Sequence, residues 1–193
     1  MVCFLLLPFI SWLYIKNGVA FRQHALEELR QSIDISACNS LSINGKALTH
    51  DSLKGRVWVL INVAEIPDKN NLAEVAGTIY DQNDGSRSVR LVFCGADIQA
   101  FSSVLPAHLT QRQFVSFAPS GTFECFQDIF VQRDTFSVNR FAENAYIIDN
   151  KGLLRRGYDI NETSEVRKLV QHSAILIPEY KKEKPQLVRQ EGY

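Results

Sequence analysis

One run constrains the fold more than any other. Arg56-Val57-Trp58-Val59-Leu60-Ile61-Asn62-Val63-Ala64 follows Lys54-Gly55 and leads directly into Glu65-Ile66-Pro67-Asp68-Lys69-Asn70-Asn71. A short apolar run rich in Val and Ile, with Gly before it and Pro and Asn after it, predicts a buried central strand. In α/β sheets, chemistry collects just past the carboxyl end of such a strand, where a loop turns into a helix and backbone N–H groups face outward. The loop at 65–71 is therefore the candidate site. It holds no cysteine, no histidine and only two acids, Glu65 and Asp68, so the sequence specifies a fold more clearly than an activity.

The 193 residues, 46% of them hydrophobic, allow one core of ordinary size and an appended segment. Lys+Arg and Asp+Glu both total 21, so the net charge suggests neither a nucleic-acid partner nor a strongly acidic ligand. Val2 to Ile15 (VCFLLLPFISWLYI) carries no charge and ends at Lys16. A full bilayer span needs about 20 apolar residues, and a cleaved leader needs a basic start and a small-residue cleavage site. This stretch is shorter than a span and has neither mark of a leader. The reading taken here is an uncleaved membrane anchor over residues 1–16, with Trp12 and Tyr14 placed for the lipid–water interface. The bland alternative is a core helix of a soluble protein.

Ala20, Phe21, Ala25, Leu26 and Leu29 recur at helical spacing between polar residues, which continues the anchor as an amphipathic juxtamembrane helix. Residues 31–39 read as a linker, completing a 17–39 connecting segment. Asn44-Gly45 marks a small hairpin, and Thr49 to Gly55 a turn into the central strand. After the loop, Leu72, Val75, Ala76, Ile79 and Tyr80 share one helix face, and Ser88 to Cys94 reads as a strand, giving a parallel βαβ unit. A helix over 97–109 broken at Pro106, a strand at 113–118 and a helix at 122–133 follow. Asn144 to Asp149 and Leu153 to Tyr158 form a hairpin around Asn150-Lys151-Gly152, and Glu162 to Ile177 a last helix. The 179–193 tail is polar.

This order predicts a thioredoxin-like α/β domain over residues 40–178, with a central mixed sheet flanked by helices. Ser42-Ile43-Asn44-Gly45 followed by Leu53-Lys54-Gly55-Arg56-Val57-Trp58 resembles the start of peroxiredoxin-like and Sco/SenC proteins. Ala145-Tyr146-Ile147-Ile148-Asp149-Asn150-Lys151-Gly152-Leu153-Leu154-Arg155-Arg156-Gly157-Tyr158, with Glu165 to Leu169 after it, resembles the closing hairpin and helix of the Sco/SenC family. The resemblance implies a membrane-anchored protein with its domain on the extracytoplasmic, periplasmic side, and a protein partner in the assembly of the respiratory complex cytochrome c oxidase. The family binds copper through a Cys-x-x-x-Cys pair in the loop after the central strand and a distal His. Carried onto this chain, the pair falls on Ile66 and Asn70, and the His on Phe141 or, with a one-residue shift, on Arg140. Soft Cu(I) requires thiolate, thioether or imidazole donors, so the resemblance here implies a degenerate metal site, with no metal and no cofactor. Glu65, Ile66, Pro67, Asp68 and Asn70 remain as a candidate partner-binding loop, in which Asn70 or Asn71 is expected to cap the following helix.

Cys3, Cys38, Cys94 and Cys125 include no C-x-x-C or C-x-x-x-C pair. A Cys94–Cys125 or a Cys38–Cys125 disulfide is open in an oxidising compartment, and spacing does not choose between them. Two function classes follow. One is a non-catalytic, membrane-anchored assembly factor. The other is an atypical one-cysteine thiol peroxidase or oxidoreductase, or a copper carrier, using Cys94 or Cys125. The residues left in the loop favour the first over an enzyme. His50, His108 and His172 read as surface or satisfied core residues.

Overall fold

The computed structural model of the protein describes residues 2–36, 38, 42–47, 49–83, 88–95, 105–111, 114–133 and 143–177. In chain order its helices are α1 (Val2–Glu28), α2 (His50–Leu53), α3 (Lys69–Gln82), α4 (Ala107–Gln111), α5 (Ser120–Arg133) and α6 (Thr163–Leu176). Its strands are β1 (Ile33–Asp34), β2 (Ser42–Ile43), β3 (Lys46–Ala47), β4 (Val57–Asn62), β5 (Val89–Cys94), β6 (Val115–Ala118), β7 (Ala145–Ile148) and β8 (Leu153–Tyr158).

The Val57–Asn62 run is buried at every position and lies inside a six-stranded sheet of order β1-β8-β7-β4-β5-β6. β4 pairs parallel with β5 and antiparallel with β7, so the sheet is mixed. Alternation along β4 sends Val57, Val59 and Ile61 to one face and Trp58 and Leu60 to the other. The first face is covered by α3 and α6 through Leu72, Val75, Ala76, Ile79, Leu169 and Val170. The second is covered by α5, whose Phe123 and Phe130 meet the Tyr146 ring at 5.0 and 5.2 Å. A strand buried on both faces cannot alternate polar and apolar residues, and each such side chain contributes roughly 1.5–3 kcal/mol. The Trp58 indole N–H, the one polar atom of its side chain, donates to the Leu53 carbonyl at 2.9 Å.

The Asn44-Gly45 turn forms as expected, with φ of 50° and 73°. It also protects a sheet edge. Asn44 N–H donates to the Phe117 carbonyl at 2.8 Å, and its Oδ1 accepts from Phe117 N–H at 2.9 Å, so the hairpin closes over β6. The segment read as a turn at Thr49–Gly55 contains the short helix α2, at whose start Thr49 N–H donates to the Ser52 hydroxyl at 3.0 Å. Ala107–Gln111 is helical beyond Pro106, which lies ahead of the helix where its missing N–H costs nothing; residues 96–104, where a helix was expected, lie outside the described residues.

The N-terminal half of the chain differs most from its reading. α1 is a single helix of 27 residues, yet among the described residues no helix is long and apolar enough to cross a membrane. The physical reason is length: the uncharged stretch at 2–15 reaches about 21 Å at 1.5 Å per residue, against about 30 Å of hydrocarbon, and polar groups begin at Lys16. Part of the expected linker is structured: Ile33–Asp34 is the edge strand, paired with Leu154 and Leu153 of β8. Cys38 then forms a disulfide with Cys125 of α5.

Two consecutive arginines of β8 grip the end of α1. Arg155 binds the Asp149 carboxylate at 2.8 and 2.5 Å and donates to the carbonyls of Leu29 and Gln31 at 3.4 and 3.2 Å, neutralising the negative end of the helix. Arg156 pairs with Glu28, and with Glu165 at 3.0 Å, while Lys168 bridges to the same two carboxylates at 3.9 and 3.0 Å. Leu29, 3% exposed, packs into the α3/α6 face of the core.

Candidate functional site

The loop after β4 begins with a 3-10 turn, Val63–Glu65, in which the Asn62 side chain accepts from Ala64 N–H at 3.2 Å. Asn62 is held from behind: its N–H donates to the Asn144 carbonyl at 2.9 Å. Asn144, 2% exposed, also accepts from Ile160 N–H at 2.8 Å and donates to Asp159 at 3.1 Å. The Asn144 main-chain carbonyl thus ties the carboxyl end of β4 to the hairpin, and its buried side-chain amide ties the hairpin to the turn at Asp159 and Ile160, a role its place just before β7 did not reveal.

Within the loop, Glu65, Pro67, Asp68 and Asn70 are exposed, whereas Ile66 is 4% exposed and packs in the core cluster with Val63, Leu72 and Val75. The candidate residues therefore divide. Ile66 is a plug that seals the sheet end, and the other four are exposed around it, from Glu65 at the end of the 3-10 turn to Asn70 in the first turn of α3. Neither Asn70 nor Asn71 caps α3. Asp68 does: its Oδ1 accepts from Asn70 N–H at 2.9 Å and Asn71 N–H at 3.2 Å. A carboxylate satisfies two free helix N–H groups and opposes the positive helix end, which an amide does less well. The signal was present as Asp ahead of a polar first turn and Leu72.

Neither Cys94 nor Cys125 is available to solvent as a thiolate. Cys94 is fully buried at the end of β5, and burial pushes its thiol up to about 12. Cys125 is bonded to Cys38. Among the described residues no three His, Cys, Asp or Glu side chains are grouped to hold a metal ion, and the loop offers an aliphatic plug and an exposed amide where copper requires soft donors. That donor set does not fit copper. Phe141 and Arg140 lie outside the described residues. His172 is a satisfied core residue: its Nδ1 bonds the Tyr158 hydroxyl at 2.7 Å. Burial, then the charges of Arg156 and Lys168, lowers its pKa to about 4.

A groove the sequence reading missed adjoins the loop. α3 and α6 lie on one sheet face and leave between them a cavity of about 490 Å³ that starts at Asn71 and reaches Gln82 and Gln171. Its signal was the second stripe of each helix, beside the apolar stripe that faces the sheet.

No family model matches the chain, and no curated protein matches it. Solved structures do. A SCO1/SenC family lipoprotein from Bacillus anthracis str. Ames superposes with a TM-score of 0.50 at 15% identity, covering 78% of this chain and 99% of that one. The fold is thioredoxin-like. BsSco, a member of the Sco family of cytochrome c oxidase assembly proteins, matches at 13% identity and a TM-score of 0.47 over 70% of this chain and 91% of its own. A putative protein disulfide isomerase from Bacteroides thetaiotaomicron matches at 15% and 0.46, over 76% and 85%. Structural neighbours of this thioredoxin-like chain thus include Sco/SenC proteins and thiol oxidoreductases.

Proposed function

We propose that this protein is a non-catalytic docking factor of the Sco/SenC type, attached to a membrane by α1 and acting in the assembly of a respiratory complex, cytochrome c oxidase. The observation that supports this most is the loop after β4. The position where the resembled family carries its first thiol is Ile66, sealed in the core, and the exposed remainder, Glu65, Pro67, Asp68 and Asn70, is shape and polarity without a redox or soft-metal donor. A rigid, capped turn on a sheet end can present a surface to a partner protein.

Attachment through α1 rests on its exposed side chains. Leu7, Phe9, Ile10, Trp12, Leu13, Tyr14 and Ile15 are all exposed and fall on every side of the helix, so no single face is reserved for water. Lys16 sits over the Trp12 ring at 5.1 Å, an aromatic and cationic boundary suited to the headgroup level. The Cys38–Cys125 disulfide supports an oxidising, extracytoplasmic, periplasmic location. Burial of Cys94 and bonding of Cys125 weigh against a one-cysteine peroxidase or copper carrier.

The test is a Cu(I) competition titration of the full-length protein in detergent, in a Cys3→Ser background, beside a variant carrying Ile66→Cys, Asn70→Cys and Phe141→His. The expected result is no tight copper in the first and gain of one copper in the variant. Tight binding by the unmodified loop overturns the non-catalytic reading. Affinity purification of the membrane-extracted protein is expected to retain a subunit or assembly intermediate of the oxidase.

A further inference from the structure

We propose that the groove between α3 and α6 binds an extended peptide segment of the partner protein, a reading that rests on the docking function above and names the element of the partner that is held. On α3, Asn71, Glu74, Thr78 and Gln82 recur at three- and four-residue steps, so they form one wall. On α6, Thr163, Arg167 and Gln171 form the other by the same spacing. Val75, Val166 and Val170 line the space between the walls.

The chemistry of these walls selects the ligand. Asn71, Gln82, Asn161 and Gln171 each carry a donor and an acceptor, the pairing that a peptide main chain offers at every residue. The valines take small apolar side chains. Glu74 on one wall and Arg167 on the other are exposed, and among the described residues neither side chain has an ion-pair partner, although both line the same space. Opposite charges held apart across a groove fit a segment with a basic group toward Glu74 and an acidic group toward Arg167. A cavity of about 490 Å³ lies within the range of sites that enclose a ligand of several residues' bulk. The groove begins at Asn71, the last residue of the candidate loop, so one partner can touch the loop and lay a strand along the two helices.

The test selects a phage-displayed library of random dodecapeptides on the full-length protein in detergent micelles. The enriched peptides are then synthesised with a fluorophore and titrated by anisotropy. The expected consensus has an acidic and a basic residue flanking small apolar ones. Arg167→Glu and Glu74→Lys are each expected to weaken binding by about tenfold or more, the loss of one charge-assisted contact. A peptide with its acid changed to Lys is expected to recover binding to Arg167→Glu alone. Thermal melts of both variants check that each stays folded, which is the expected result for substitutions at exposed positions. Failure to enrich any sequence, or binding within about twofold on both variants, overturns the groove assignment. The copper titration and the affinity purification are read separately, so the docking function can stand when the groove falls.

Discussion

Cys94 and His172 show how depth sets the chemistry of a side chain, alone for Cys94 and with the nearby charges of Arg156 and Lys168 for His172. With its thiol pushed up to about 12 by burial, about one Cys94 in ten thousand is ionised at pH 8. In a Cys3→Ser background, a thiol reagent should therefore find no reactive group in the folded protein and one after denaturation; one fast-reacting thiol in the native state would restore the peroxidase reading. The same burial moves His172 the other way, because the neutral form favoured inside is the deprotonated one for an imidazole and the protonated one for a thiol. Its pKa falls from 6.5 to about 4, so between these values the unfolded chain takes up a proton that the folded chain refuses. Stability is complete above pH 6.5 and declines as pH falls toward 4, by up to about 3 kcal/mol at 1.36 kcal/mol per unit. Urea midpoints of the wild type and His172→Gln across pH 4–7 check this: the wild type should lose more on acidification. Gly152, with φ of 80° and the His50 ring 3.1 Å from where a Cβ would stand, cannot take a side chain freely. Gly152→Ala should cost about 1–3 kcal/mol in a chemical melt.

Among elements, the strands were legible and the ends of helices less so. β4, β5 and the β7–β8 hairpin could be read because a strand sealed on both faces leaves an unbroken apolar run, and Asn150-Lys151-Gly152 punctuates the hairpin. The candidate loop was located from β4 alone, yet the burial of Ile66 and the capping by Asp68 depend on which way a turn closes, and local composition does not determine that. The edge strand β1 and the clamp on α1 were hidden for a similar reason: Ile33–Asp34 is too short to show a period, and its partners lie about 120 residues away in the chain. Asp68→Ala should lower stability by about 1 kcal/mol through two lost helix-end bonds, measured by denaturant midpoint, with an effect near zero refuting the cap. Arg155→Ala should leave the β7–β8 hairpin folded but expose the peptide bonds near Leu29 and Gln31 to limited proteolysis; an unchanged cleavage rate would show that Arg156 and the disulfide suffice.

For the whole molecule, the Cys38–Cys125 bond joins the chain just after α1 to α5 across a separation of 87 residues. The chain-entropy estimate for a loop of this size is about 4.5 kcal/mol, so reduction, or Cys125→Ser, should lower the urea midpoint strongly. A midpoint unchanged by reductant would mean that the bond adds nothing to the fold. The two arginines hold the end of α1, and the edge strand and this bond hold the chain within the ten residues that follow it, which has a mechanical consequence. A helix gripped at its base cannot swivel, so on the proposed attachment it is a ruler. From Lys16 to Glu28 the helix rises about 18 Å at 1.5 Å per residue. The domain is then carried at one set height above the headgroups, and a lean of the helix becomes an equal lean of the docking surface.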